Sequence, residues 1–421
     1  MNGNSQVSAA GEERWFARMT VVEKRTFVAA FGGWALDALD FMVFTFVIAT
    51  LIDVFHIDKA QAGMLATITL LFSAIGGWLA GILADRFGRV RILQFTILWF
   101  SACTVLIGFA QNFEQIVVLR ALQGLGFGGE WAVGSVLMGE IVRTEYRGRA
   151  VGTVQSGWAI GWAVAAILYT LSFSMLPENY AWRALFWAGV APALLVVFIR
   201  RKVPEPELFQ RTRKREAASA NPMPAWAIFS PALVRTTALS ALLCTGVQGG
   251  YYAVTTWLPT FLKTERHLSV IGTGGYLLVI IAGSFAGYLT GAHLTDRLGR
   301  RANLLVFSVL SGACVFVYTQ LHLSNQQMLL LGFPLGFSAS GIFSGMGAYL
   351  TELFPSAVRA NGQGFAYNFG RGIGALFPSL VGYLAKTGGL GTAIGMFAGG
   401  AYVIVLMAAL LLPETKGREI S

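Results

Sequence analysis

Residues 81–89 read Gly81-Ile82-Leu83-Ala84-Asp85-Arg86-Phe87-Gly88-Arg89, an apolar run that ends on charges of both signs. The last five of these recur as Asp296-Arg297-Leu298-Gly299-Arg300, 211 residues later. Further along, Glu140 and Arg147 recur as Glu352 and Arg359, each 212 residues later. Two unrelated motifs that share an offset of half the chain point to duplication of one structural unit.

Outward from these motifs the chain is apolar. Of its 421 residues 55% are hydrophobic, 50 are glycine and only 12% are charged, with a mean hydropathy of +0.62. That charge is about half the usual share and cannot cover the exterior of soluble domains. A hydrocarbon core about 30 Å thick needs about 20 mostly apolar residues per spanning helix. The chain supplies twelve such stretches, near 27–51, 60–84, 91–111, 114–140, 150–172, 182–199, 237–261, 270–292, 303–323, 328–351, 361–385 and 392–412. Each runs well past strand length, so helices and not a barrel satisfy the backbone. The expected fold is an all-α integral membrane bundle of twelve transmembrane helices in two pseudo-symmetric six-helix halves. Its parts are a solvated amino-terminal arm at 1–26, a first half at 27–199, a polar linker at 200–236, a second half at 237–412 and a tail at 413–421.

The net charge of +10 raises nucleic acid as a partner until the charges are placed. Of the 31 Lys and Arg, 24 fall in the arm, the linker, the tail and the loops of one side. Lys59, Arg183, Lys263, Arg266 and Lys386 fall on the other, and Arg120 and Arg371 lie within spans. The positive-inside tendency then puts both termini in the cytoplasm, and the basic balance becomes a topology signal, not a nucleic-acid footprint. A multi-pass protein of the cytoplasmic (inner) membrane is expected, in contact with lipid and working as a monomer. The cluster Arg211, Arg213, Lys214 and Arg215 reads as an ordinary cytoplasmic linker, with lipid headgroup binding as the alternative. Cys103, Cys244 and Cys314 each sit in an apolar run, as small buried hydrophobes.

An ionisable group at membrane depth costs about 2.5–3.5 kcal/mol on insertion scales, so those that persist are functional or paired. Five are found: Asp37, Asp40, Arg120, Glu130 and Arg371. Asp37 and Asp40, three apart, share a helix face. Two carboxylates that close cannot both ionise cheaply in a low dielectric, which makes them candidates for loading a proton outside and releasing it inside. Glu130 is a further proton-site candidate, or a structural group in a glycine-rich helix. Arg120 suits a carboxylate because it is always charged and binds two oxygens at once, or else it holds one of the aspartates. Arg371, with no intramembrane acid in its own half, needs an anion in the central cavity or an aspartate across it. Tyr367 and Asn368 beside it, with Gln155, Trp158, Gln248, Tyr251 and Tyr252, complete the candidate cavity lining.

Asp85, Arg89, Glu140 and Arg147, with their repeats Asp296, Arg300, Glu352 and Arg359, lie at helix ends where charges cross-pair and meet helix dipoles. Gly124-Leu125-Gly126-Phe127-Gly128-Gly129 matches GxGxxG, but no strand precedes it and it lies inside an apolar span. Close helix packing is the better reading. No Walker loop, HExxH, GxSxG or metal-spaced Cys/His set is present, so neither an enzyme nor a bound cofactor or metal is expected.

The 81–89 motif, Arg120-Ala121-Leu122-Gln123-Gly124 and Pro413-Glu414-Thr415-Lys416-Gly417 resemble the signature motifs of the major facilitator superfamily, over essentially the whole chain. Asp37-Ala38-Leu39-Asp40 resembles the Asp-Gly-x-Asp of aromatic-acid and sialate-type proton symporters, with Ala38 in place of glycine. Gly128-Gly129-Glu130-Trp131, Trp182-Arg183-Ala184-Leu185-Phe186 and Asn368-Phe369-Gly370-Arg371 are similar to the same group. In the second half Ala292 stands where the loop motif normally has glycine. The resemblance implies alternating access, with the charged helix ends as an inner gate. The expected function is a symporter that uses the proton gradient to import an organic carboxylate: an aromatic acid, a small monocarboxylate or a sialic-type sugar acid. Proton-antiport efflux of a drug or metabolite uses the same parts, and a non-transporting membrane receptor is the reading from another class.

Overall fold

The computed structural model describes residues 15–57, 59–217, 224–267 and 270–418. The arm before Trp15, the Pro222 stretch of the linker at 218–223 and the last three residues lie outside the described residues.

A chain that crosses hydrocarbon must satisfy its backbone within each segment, and the regular structure described is helical throughout. The first half contains α1 (Trp15–Arg18), α2 (Val21–Phe55), α3 (Lys59–Phe87), α4 (Arg89–Ile107), α5 (Phe113–Ile141), α6 (Arg147–Val154) continued by α7 (Gly157–Met175), and α8 (Glu178–Trp187) continued by α9 (Ala191–Lys202). The linker forms α10 (Glu207–Ala217). The second half contains α11 (Val234–Thr264), α12 (Val270–Leu298), α13 (Arg300–Gln320), α14 (Asn325–Leu353), α15 (Arg359–Gly374) continued by α16 (Phe377–Gly388), and α17 (Leu390–Leu411).

Two of the continuations have a proline cause. α9 and α16 restart with Pro192 and Pro378 in their first turns, where the missing N–H costs nothing. Taking each continued pair as one span, and leaving aside α1 and α10, there are twelve spans, in the expected order. Among the described residues eight helical stretches are long and apolar enough to cross a membrane by length and composition alone. The spans outside those eight are the interrupted α8–α9 and those carrying Arg120, Gln123 and Glu130 (α5), Gln248 (α11) and Arg371 (α15–α16).

Lipid is as apolar as leucine, so helix association depends on close packing. Gly124 and Gly128 of α5 press against the Thr69 and Ser73 carbonyls of α3, which is the packing role read from the glycine run. The second half repeats it, with Gly283 and Gly287 of α12 against the Phe333 and Phe337 carbonyls of α14. Between the halves, α3 packs on α15, and α6 packs on α12 and α14.

The described part of the arm, from Trp15 on, is folded. Thr20 and Glu23 form a reciprocal capping pair that starts α2 at Val21: Glu23 N donates to Thr20 Oγ1 at 3.2 Å and Thr20 N to Glu23 Oε2 at 2.6 Å. Trp15 and Met19 fold into the core, 9% and 4% exposed. The linker is also more engaged than a tether: Phe209 of α10 lies beneath the Arg89 guanidinium at 4.5 Å, and Phe229 packs edge-on to Phe365 with centroids 5.1 Å apart.

Candidate substrate and proton site

The intramembrane charges form two clusters. In the first, Asp40 turns away from Asp37 into the seam of α4 and α5. Thr104 Oγ1 donates to Asp40 Oδ1 at 2.8 Å, and Gln123 Nε2 donates to Asp40 Oδ2 at 2.6 Å. Gln123 Oε1 accepts from Arg120 Nη1 at 2.8 Å, and the guanidinium lies over the Phe44 ring at 3.8 Å. Asp40 and Arg120 therefore communicate through Gln123 and make no direct ion pair, so in this conformation Arg120 does not hold Asp40 directly. The physical reason is length: the amide fills the gap and gives each charge a hydrogen bond of the right sense.

In the second cluster Asp37 is fully buried and neither carboxylate oxygen accepts a hydrogen bond from a protein donor. Its electrostatic neighbours are Glu130, Asp40 and Arg371, and Glu130 lies within hydrogen-bonding reach. The Glu130 carboxyl, 1% exposed, occupies the space that a side chain at Gly33 would take, one turn below Asp37. The acid within reach of Asp37 is thus Glu130, and no donor reaches either Asp37 oxygen or Glu130 Oε1. Two buried carboxyl groups within reach of each other hold together when they share a proton.

Across the seam, Arg371 of α15 is 2% exposed, with its guanidinium 5.1 Å from the Phe127 ring centroid and 5.0 Å from that of Tyr367. The Tyr252 and Tyr367 phenols lie within its hydrogen-bonding reach, while Nε and Nη1 have no partner. An arginine held by stacking with two nitrogens open is preorganised for an oxyanion.

Aromatic rings enclose this cluster. Tyr367 stacks on Trp131 of the other half with centroids 3.5 Å apart. Trp131 Nε1 donates to Gln155 Oε1 at 3.1 Å, and Gln155 Nε2 donates across the seam to the Phe343 carbonyl at 3.4 Å. Gln248 Nε2 donates to the Tyr367 carbonyl at 2.7 Å and accepts from Tyr252 at 3.5 Å. Trp158 packs against Trp34 and Phe41, and Tyr251 stands edge-on to Phe343. Asn368 Nδ2 donates to the Gly364 carbonyl at 3.0 Å, leaving Oδ1 unpartnered.

The structure thus brings Asp37, Glu130, Arg371, Tyr367 and Tyr252 together, places Gln155 and Gln248 behind them, and sets Asp40 and Arg120 apart. The sequence reading assigned no role to Gly33 or Thr104, nor to Gln123, Phe127 and Trp131 beyond their place in longer motifs. For the last three the signal was present: with Arg120 and Glu130 they recur at three- and four-residue intervals along α5, one helix face.

At the arginine-rich end the repeated motifs interlock. Arg89 bonds Asp85 at 3.0 Å and Glu140 at 3.2 Å, and Glu140 bonds Arg359 of the other half at 2.9 Å. The mirror set has Arg300 with Asp296 at 2.9 Å and Glu352 at 2.8 Å, and Glu352 with Arg147 at 3.2 Å. Asp85 accepts from the N–H groups of Ala360 and Asn361 at the start of α15, and Asp296 accepts from Arg149 N in α6. Each aspartate thereby meets the positive end of a helix in the opposite half. Gly88 and Gly299 take φ of 114° and 106°, a turn that favours glycine at both copies. A third repeat escaped the sequence reading: Glu205 accepts from the N–H groups of Arg89, Val90 and Arg91, and Glu414 from those of Arg300 and Arg301. Its signal was a Pro-Glu pair, at 204–205 and 413–414.

Two repeated helical halves joined by breakable charge contacts, with ionisable groups buried at mid-depth, are the build of a membrane transporter. The sequence profile of the Major Facilitator Superfamily matches residues 30–325 and 277–420, and the chain belongs to that family. It is 44% identical over 406 residues to a probable 4-methylmuconolactone transporter of Cupriavidus pinatubonensis, covering 96% of this chain and 94% of that one. It is 32% identical over 421 residues to the cis,cis-muconate transport protein of Acinetobacter baylyi, covering 99% and 98%. A proton:xylose symporter structure superposes with a TM-score of 0.80 at 18% identity, covering 95% of this chain and 98% of that one, and so shares the fold.

Proposed function

We propose that this transporter is a proton-coupled symporter that imports a small organic carboxylate across the cytoplasmic membrane, with the arginine-rich end and both termini inside. The observation that carries this reading is the buried Asp37–Glu130 pair, with no donor to either Asp37 oxygen or to Glu130 Oε1, beside the open guanidinium of Arg371. The relatives named for muconate and methylmuconolactone, together with the aromatic enclosure, favour a flat, unsaturated acid over a sugar acid.

With the pair sharing one proton, its single negative charge balances Arg371. A substrate carboxylate that reaches Arg371 adds a second negative charge to a low-dielectric site, and a second proton on the pair cancels it. The neutral loaded site then allows the halves to rock and the seam at the arginine-rich end to open. Asp40, with donors on both oxygens, shapes the first half through Gln123 and Arg120. One proton with one monoanion moves no net charge, so a pH gradient drives uptake and membrane voltage does not; each further proton would recruit about 2.3 kcal/mol per 100 mV.

The test is accumulation of labelled benzoate and cis,cis-muconate in proteoliposomes under an imposed inward proton gradient. Accumulation that collapses with a protonophore supports the reading. Equal uptake with and without the gradient overturns the proton coupling.

A further inference from the structure

A second group of unpartnered donors lies at the opposite end of the molecule, outside the site described above. The start of α8, the end of α2 and the turn between α4 and α5 line an open cavity of about 420 Å³. Its walls include Phe109, Tyr180, Trp182 and Trp187, and among the described residues no acidic side chain lines it. Arg183 also lines it, pinned through Nη1 to the Gly108 and Ala110 carbonyls at 2.8 and 2.9 Å and lying 4.3 Å over the Trp182 ring. Among the described residues Arg183 makes no ion pair, and no hydrogen bond engages its Nε or Nη2. The indole Nε1 atoms of Trp182 and Trp187 are buried without an acceptor, and Trp182 is fully buried.

An interfacial aromatic belt accounts for exposed rings such as Tyr180, whose polar tips reach water or headgroups. It does not account for buried indole N–H groups, which ordinarily find a partner. A cation fixed by one nitrogen with the others open, indole donors and flat apolar walls are together complementary to an anion with a planar body. The volume suits one small molecule.

We propose that this cavity is a second anion site that takes a small carboxylate with a flat apolar body, held by Arg183 and the Trp187 N–H and stacked among the rings. On the topology proposed above it faces outward and collects substrate ahead of the central site. The identity of the anion rests on the carboxylate reading of the central site; the chemistry of the cavity does not.

The test uses full-length protein labelled with 5-fluorotryptophan, with the Trp187 fluorine resonance identified by its loss in Trp187→Phe. The Arg371→Gln variant, whose central site is disabled, is titrated with benzoate, with neutral methyl benzoate and with glycerol phosphate as a headgroup mimic. The expected result is a saturable benzoate shift at Trp187 that methyl benzoate does not produce. Adding Arg183→Gln removes it. Because Arg183 also pins two carbonyls, Trp187→Phe in the otherwise native protein supplies a gentler check: KM for benzoate uptake rises several-fold at unchanged kcat. No saturable shift, an equal shift with methyl benzoate, or binding of glycerol phosphate in preference to benzoate overturns the proposal. The two readings fail separately, because a shift at Trp187 without any uptake sinks symport alone, and uptake with a silent Trp187 sinks this site alone.

Discussion

Glu140 of the first half and Arg359 of the second approach to 2.9 Å, with both side chains removed from solvent. Removing one partner of a buried pair leaves the other charge uncompensated, at a cost of about 3–5 kcal/mol. Glu140 also neutralises Arg89, so Glu140→Gln should loosen the closed seam from both directions. A cysteine introduced at Ser356, beside the seam, is expected to react with a membrane-impermeant maleimide faster in Glu140→Gln than in the parent. Unchanged labelling would show that this pair does not hold the halves together.

Asp37→Asn with Glu130→Gln makes the pair permanently neutral, so it can carry no proton while still accepting a carboxylate beside Arg371. The double variant should lose accumulation driven by a pH gradient yet retain exchange of internal for external benzoate. Loss of both activities in a folded protein would assign the pair to substrate binding instead.

Arg371→Lys keeps the charge but loses the planar fork that stacks between Phe127 and Tyr367. A rise in KM larger than the fall in kcat is expected, because the contact is made to the bound carboxylate in the ground state as well as during the movement. An unchanged KM would place the substrate carboxylate elsewhere.

Gln123→Leu removes the bridge between Asp40 and Arg120 and leaves a buried polar group on each side short of a partner, at about 1–3 kcal/mol apiece. The expected readout is a lowered melting temperature of the purified protein, with the proton dependence of residual uptake unchanged. A native melting temperature would mean that water replaces the amide.

The fold was legible because its determinants are periodic. Apolar stretches of spanning length and a motif repeated at 211 residues define spans and halves without any reference to contacts. The charged seam was legible for the same reason, since Asp85, Glu140 and their repeats occur at corresponding helix ends. The interior of the site was less so. Three residues of separation put Asp37 and Asp40 on one face, but only neighbouring helices decide that one carboxyl meets Thr104 and Gln123 while the other meets Glu130 and Arg371. Phe127 and Trp131 were hidden for a different reason: aromatic residues are common in an apolar chain, and their helix phase relative to Arg120 and Glu130 has to be counted before they stand out.

The central claim is that one proton enters on Asp37–Glu130 with each carboxylate bound at Arg371. It is tested most directly by recording proton entry and labelled benzoate entry in the same proteoliposomes, at zero membrane potential. The account predicts equal molar entry of protons and benzoate in the native protein, and no proton entry in the Asp37→Asn, Glu130→Gln variant. Benzoate entry without protons in the native protein, or undiminished proton entry in the variant, would contradict it.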